Sequence, residues 1–303
     1  MVLLILAASA AFAQFSAETR LVVLHASVVD KRGHLVTNLK ENQFKVFENG
    51  AQQPIKVFRH EDVPVSIGLL IDDSGSMREK RARVEAAAVG LVKASNSQDE
   101  VFIVNFNDEA YLDVPFTSDV HKMEQGLARI DARGGTAMRD AINMSVEYLK
   151  SNAKKDKKVL VVITDGNDNA SGTSLEHVVQ RSIQSEVLIY AVGLLGDEQR
   201  HEASKAKRAL KELTTATGGI AFFPKQIDEV NSLALEIAHD IRSQYTLAYT
   251  PPNPEDGTYR QIKVDVNAPG HPIVRTRTGY YATAAQDTKP THAPSSGSAG
   301  AAQ

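Results

Sequence analysis

The chain has 303 residues, no cysteine, no tryptophan and a formal net charge of −3. That length accommodates one large hydrophobic core with a smaller unit beside it. The missing cysteines exclude thiol catalysis, disulfides and Cys-ligated zinc, and the near-balanced charge gives no general pull toward nucleic acid or anionic membrane.

The chain opens with an apolar run that closes on Ala11-Phe12-Ala13, a small-x-small cleavage pattern. This predicts a leader over residues 1–13 and an exported protein, periplasmic or extracellular. The run is shorter than the roughly 20 apolar residues that span a bilayer, so no membrane span is expected in the mature chain. No basic residue precedes it, which leaves room for a start further upstream.

Residues 20–63 read as a β flank. Leu21-Val22-Val23-Leu24 continues through Ala26-Ser27-Val28-Val29 to a turn at Asp30-Lys31-Arg32-Gly33. Asn49-Gly50 then stands between Phe44-Lys45-Val46-Phe47-Glu48 and Pro54-Ile55-Lys56-Val57-Phe58, and predicts a hairpin because both turn residues tolerate positive φ.

Over residues 64–243 the pattern changes to nearly continuous apolar runs at 65–71, 101–104, 159–163 and 187–192, as in parallel strands covered on both faces. Helical spacing lies between them. Val84, Ala87, Ala88, Leu91 and Val92 share one face, as do Met138, Ala141, Ile142, Ser145, Val146 and Leu149. Leu210 and Leu213 mark another helix, and Leu233, Ile237 and Ile241 a further one. The alternation predicts an α/β fold with a doubly wound, mostly parallel sheet. Tyr111 to Phe116 is expected at its edge, because Pro115 cannot donate to a ladder.

Residues 244–283 return to period two. Tyr245, Leu247 and Tyr249 alternate with polar or small residues, then Ile262, Val264 and Val266 do so, and a last strand is expected from Ile273 to Thr278. The two flanks are expected to pair into one small all-β domain. Residues 284–303 carry no periodic apolar residues and read as a disordered tail.

The chemistry concentrates where the apolar run 65–71 stops, at Asp72-Asp73-Ser74-Gly75-Ser76-Met77. In α/β sheets the carboxyl end of a strand is where ligands bind. Asp72, Ser74 and Ser76 offer one anionic and two neutral oxygens, hard donors suited to Mg²⁺, Mn²⁺ or Ca²⁺. Gly134-Gly135-Thr136 precedes a helix, and Thr164-Asp165-Gly166 closes the strand 159–163. A parallel sheet brings all three loops to one edge, where two carboxylates, two serines and a threonine make an octahedral oxygen site once waters are added.

These three segments resemble, in order, the parts of the metal-ion-dependent adhesion site of von Willebrand factor A domains. With Phe44 to Gly50, Pro64 to Leu69, Tyr245 to Tyr249 and Arg277 to Tyr281, the chain is similar to a bacterial exported VWFA-related family. The resemblance implies Ser74 and Ser76 as direct ligands of a divalent cation, Mg²⁺ first and Mn²⁺ or Ca²⁺ next. It implies Thr136 as a direct or water-mediated ligand, and Asp72 and Asp165 acting through water. Two hydroxyls bring no charge to the ion, which stays electrophilic and free to take an Asp or Glu from a protein partner. A structural or assembly role in the envelope, and a metal-dependent hydrolase, are the competing readings.

The enzyme readings meet obstacles in the residues. Neither serine has the Gly-x-Ser-x-Gly setting of a nucleophile elbow, and neither a His-Glu-x-x-His nor a P-loop pattern occurs. An aspartyl phosphotransferase would want an acid where Ser74 stands, and a phosphate loop would be repelled by Asp72 and Asp73. Asp73 reads as a solvent-facing loop acid, Asp168 as turn chemistry, and Asp140 as a residue that caps or pairs at a helix start. His177, His201 and His239 read as exposed helix positions. Lys154-Lys155-Asp156-Lys157-Lys158 reads as a solvated basic loop, with a patch for an anionic partner as the sharper alternative.

Overall fold

The computed structural model describes residues 21–94, 96–127, 133–196, 200–252 and 255–282. The expected leader at 1–13 and the tail at 284–303 lie outside them.

Along the chain, β1 (Val22–Val29), β2 (Phe44–Glu48), β3 (Ala51–Gln53) and β4 (Val57–Arg59) precede β5 (Val65–Asp72). Then come α1 (Arg81–Lys93), β6 (Glu100–Phe106), β7 (Ala110–Thr117), α2 (Val120–Leu127), α3 (Met138–Asn152) and β8 (Lys157–Thr164). They are followed by α4 (Leu175–Gln184), β9 (Val187–Gly193), α5 (Arg200–Thr217), β10 (Ala221–Phe222) and α6 (Val230–Arg242). The chain returns to strands with β11 (Tyr245–Tyr249), β12 (Tyr259–Val266), β13 (Ile273–Arg275) and β14 (Gly279–Tyr281).

The central sheet has the order β10-β9-β8-β5-β6-β7 and is parallel except for β7, which runs antiparallel at the edge. Every residue of β5, β6 and β9 is buried. Both faces are covered, which is why these strands read as unbroken apolar runs rather than alternating ones. Leu69 and Ile71 pack with α1 and α6 on one face. Leu70 packs with α3, α4 and α5 on the other. The α1 residues buried are Val84, Ala87, Ala88, Leu91 and Val92, the stripe expected from helical spacing.

The flanks form two four-stranded antiparallel sheets, β13-β1-β11-β4 and β14-β12-β2-β3, around a shared core that includes Leu24, Val46, Tyr245 and Val264. Each sheet mixes strands from both chain ends. Asn49 and Gly50 have φ of 47° and 83°, the conformation of a two-residue hairpin turn whose twist matches the strands.

Two expectations fail here. The strand expected at 54–58 is not the partner of β2; a two-residue turn sets Glu48 opposite Ala51, so the hairpin returns as β3. Pro54 follows, without an amide to donate, and Val57–Arg59 joins β11 in the other sheet. The single strand expected at 273–278 is two short ones: β13 pairs with β1, while β14 pairs with β12. Between them the amide of Thr278 is drawn to the carbonyl of Ala216, at 3.1 Å, so the chain changes sheets there.

The β unit is fastened to the α/β unit through buried polar groups. Asp240 of α6 accepts from Tyr190 of β9 at 2.8 Å and from Arg275 of β13 at 2.8 Å. Gln244 bridges Ser27 of β1 and the Tyr190 hydroxyl. Inside the β unit the carboxylate of Glu48 is buried against Arg260 and the hydroxyls of Tyr249 and Tyr280. Burial and that carboxylate push the Tyr280 hydroxyl up to about 12.

Candidate metal centre

β5 and β8 are neighbours in register, Ile71 opposite Ile163, so their carboxyl ends deliver Asp72 and Thr164 side by side. The Thr164 hydroxyl donates to Asp72 Oδ2 at 2.5 Å, and the Ser74 amide donates to Asp72 Oδ1 at 2.9 Å. Beyond Ser74 the chain enters a short 3₁₀ turn, Gly75–Met77, and the Met77 side chain plugs into the core beneath it. That anchor leaves the serines on the sheet edge. Ser74 Oγ and Ser76 Oγ are 3.2 Å apart, and the Ser76 hydroxyl donates to Asp165 Oδ1 at 2.8 Å.

The second loop is locked to the first by its backbone. Gly75 N–H reaches the Gly134 carbonyl at 3.3 Å, and Arg133 N–H reaches the Asp73 carbonyl at 2.9 Å. Gly134 has φ +77°, which favours glycine, and a Cβ there would lie 2.1 Å from Asp108 Oδ2, so that carboxylate would have to shift. Asp108 in turn accepts from the Gly135 amide at 2.8 Å. Thr136 is buried, with its amide on Asn169 Oδ1 at 2.8 Å and its carbonyl taking the Asn169 amide at 3.1 Å. Its Oγ1 would lie 3.6 Å from a Cβ at Gly166, which places that hydroxyl against the loop carrying Asp165.

The three loops therefore converge, and Asp72, Ser74, Ser76, Thr136 and Asp165 share one edge of the sheet. Adjacent ligands on an octahedral Mg²⁺ at about 2.1 Å are about 3 Å apart. The spacing of 3.2 Å between the serine oxygens matches such an edge. Among the described residues no group of three or more His, Asp or Glu could hold a metal. A cation site here has to draw on hydroxyls, and this donor set fits a hard divalent ion.

The electrostatics separate the two acids. Asp72 is 1% exposed and has no cationic partner among the described residues. Burial pushes its carboxyl up to about 6, against the opposing hydrogen bonds from Ser74 and Thr164, and the charge of Asp165 adds to the rise. Asp165 instead receives the ammonium of Lys80 on Oδ2 at 2.5 Å. Lys80 sits just before α1 and was not singled out in the sequence, where nothing but its distance from Asp72 points to it.

Other expectations resolve plainly. Asp73, expected to face solvent, is buried; its amide is held by the Phe106 carbonyl at 2.7 Å. Asp168 accepts from the Arg139 amide and guanidinium and from Ser171, so it organises the start of α3 and the 168–171 turn. Asp140 caps the loop opposite rather than its own helix, accepting from the amides of Gly172 and Thr173 at 2.9 Å. Burial works against its charge, but those hydrogen bonds prevail and hold it below the usual carboxylate range. His177, His201 and His239 are exposed on helices.

With that geometry in place, the comparisons with known proteins are specific. Residues 67–167 match the family model described as von Willebrand factor type A domain. The human inter-alpha-trypsin inhibitor heavy chain H4 is 22% identical over 224 residues, 67% of this chain and 23% of its own length. Integrin alpha-11 of Mus musculus is 33% identical over 105 residues, 33% of this chain and 9% of its own. The chain thus spans less than a quarter of the length of these curated relatives. Proximal thread matrix protein 1 from the mussel byssus superposes with a TM-score of 0.53 at 16% identity, covering 64% of this chain and 51% of that one. A further structure of that protein, with a zinc-occupied MIDAS motif, superposes with a TM-score of 0.50 at 16% identity, covering 64% and 49%. The chain carries a von Willebrand factor type A domain. Among the described residues no helix is long and apolar enough to cross a membrane.

Proposed function

We propose that this protein is a divalent-metal-dependent protein-binding module of the adhesion type, exported to the periplasm or the cell exterior. The observation that carries the reading is Asp72: a buried carboxylate without a cationic partner among the described residues, set beside two serine hydroxyls at ligand spacing. Ser74 and Ser76 would hold the ion directly, Thr136 directly or through water, and Asp72 and Asp165 through water. Mg²⁺ fits the donor set best, with Mn²⁺ or Ca²⁺ as substitutes. The bound cation supplies an electrophilic centre for an Asp or Glu of the partner. The MIDAS motif of a structural neighbour and the integrin among the relatives support the same reading. No catalysis is assigned, since neither serine hydroxyl has an imidazole partner among the described residues.

A second reading has its own support. An uncompensated buried carboxylate destabilises the fold, so a cation there also stabilises the domain, as in an envelope assembly protein. Pull-down of partners from source-cell extract with and without Mg²⁺, comparing wild type with Asp72→Ala, separates the two. The adhesion reading expects partners that need both the ion and Asp72, with the variant and the chelated chain both still folded. Chelation that melts the domain, with no partner depending on metal, favours the structural reading. Turnover of an ester or phosphoester that vanishes in the same variant would sink both.

A further inference from the structure

The basic run at 154–158 is not a plain solvated loop. It forms one wall of a cavity of about 660 Å³ between the amino ends of the central strands and the β unit. That is the opposite end of β5 from Asp72, eight residues and therefore about 23 Å away. The size falls within the range of about 300–1,000 Å³ typical of small-molecule sites.

The loop is built to project its side chains. Lys154 N–H donates to Glu100 Oε1 at 2.6 Å, and Lys155 N–H donates to Ser66 Oγ at 3.2 Å. Ser66 and Glu100 are themselves joined at 2.6 Å, so the backbone is pinned on a buried polar pair. Among the described residues the ammonium groups of Lys154, Lys155 and Lys158 have no ion-pair or hydrogen-bond partner. Six basic residues line the cavity against two acidic ones, in a chain whose net charge is −3. One of those acids, Glu186, is already engaged by Arg277 at 3.1 Å. His25 lines the same space; burial first, then the charges of Lys157 and Arg277, hold its imidazole down at about 3, so it is neutral.

Part of the remaining wall is apolar. Val23 and Val57 from the β unit face Ile183 and Leu188 from the α/β unit, with Val63 and Pro64 of the connecting segment between them. A cationic rim over an apolar wall selects an amphiphilic anion. The geometry points to a binding site for a small single-chain carboxylate, its head on Lys154, Lys155 and Lys158 and its hydrocarbon body against Val57, Ile183 and Leu188.

The test is calorimetric titration of the full chain with dodecanoate below its micelle concentration, beside acetate and dodecyl maltoside. Binding of one dodecanoate is expected, with the head alone and the neutral amphiphile each weaker by about tenfold or more, and weakening as salt screens the rim. The triple variant Lys154→Ser, Lys155→Ser, Lys158→Ser changes side chains outside the core and should lose about tenfold in affinity. Val57→Phe, which fills the apolar wall, should lose it independently. Asp72→Ala should leave it unchanged. No binding to the wild type, equal affinity for dodecyl maltoside, full affinity in both cavity variants, or loss in Asp72→Ala would each overturn the proposal.

Discussion

Asp240 and Asp72 are both buried carboxylates at the ends of elements of the same unit, yet the fold treats them differently. Asp240 has the guanidinium of Arg275 and the hydroxyl of Tyr190, and its charge is answered within the chain. Asp72 receives only neutral donors, from Ser74 and Thr164, and no cation among the described residues, and its carboxyl is pushed up to about 6. An internal guanidinium makes a joint, and Asp240 fastens the β unit to the α/β unit. A carboxylate left with neutral donors, at a sheet edge beside two further hydroxyls, is where we propose that a cation from outside binds. The difference lies in the counter-charge, not in the depth of burial.

The largest effect should come from breaking the joint. Asp240→Ala leaves the partly buried Arg275 guanidinium and the buried Tyr190 hydroxyl without their partner and should cost about 3 kcal/mol, read as a lower urea midpoint with or without Mg²⁺. A metal-dependent loss would mean that the two carboxylates are not the independent cases described above. Next in size is the loop scaffold. Gly134→Ala meets Asp108 and an unfavourable φ, and should cost about 1–3 kcal/mol together with metal affinity. Unchanged Mg²⁺ binding in that variant would show that the second loop is dispensable.

Asp72 itself should behave in the opposite sense to Asp240. A carboxyl raised from 3.8 to about 6 binds its proton more tightly in the folded state. The stability this contributes is complete below pH about 4 and is lost as pH rises through about 6. In chelator, Asp72→Asn should therefore gain on wild type across that window, by on the order of 2 kcal/mol at neutral pH. Urea unfolding of both proteins at pH 4 and pH 7.5 measures it, and a variant that loses ground at the higher pH contradicts the assignment. The smallest effect concerns Lys80, the fold's own cation at this edge. Lys80→Met frees Asp165 and should tighten Mg²⁺ by about tenfold, or ~1.4 kcal/mol, in a competition titration. Weaker binding would make Lys80 a support of the site rather than a competitor.

Much of this was legible in the chain, for local reasons. Asp72-x-Ser74-x-Ser76 and Asp165 are short segments at strand ends, which a parallel sheet forces together, and Thr136 lies in the loop just before α3. The buried stripe of α1 and the edge position of β7 follow from helical spacing and from Pro115 in the same local way. What escaped was non-local. The choice between β3 and the 54–58 segment as partner of β2 depends on turn register, and the split after Arg275 depends on a carbonyl of α5 distant in sequence. Asp73 gave no sign of burial, because a loop acid looks the same whether a neighbouring loop closes over it or not. Lys80 reaches Asp165 only in three dimensions, and the basic run becomes a cavity wall only once the β unit lies against it.

The most direct test of the central claim is a Mg²⁺ titration of the chelator-treated full chain by calorimetry, beside Asp72→Ala. One ion bound per wild-type chain, and none by the folded variant, is the predicted result. Equal binding by both proteins would contradict it.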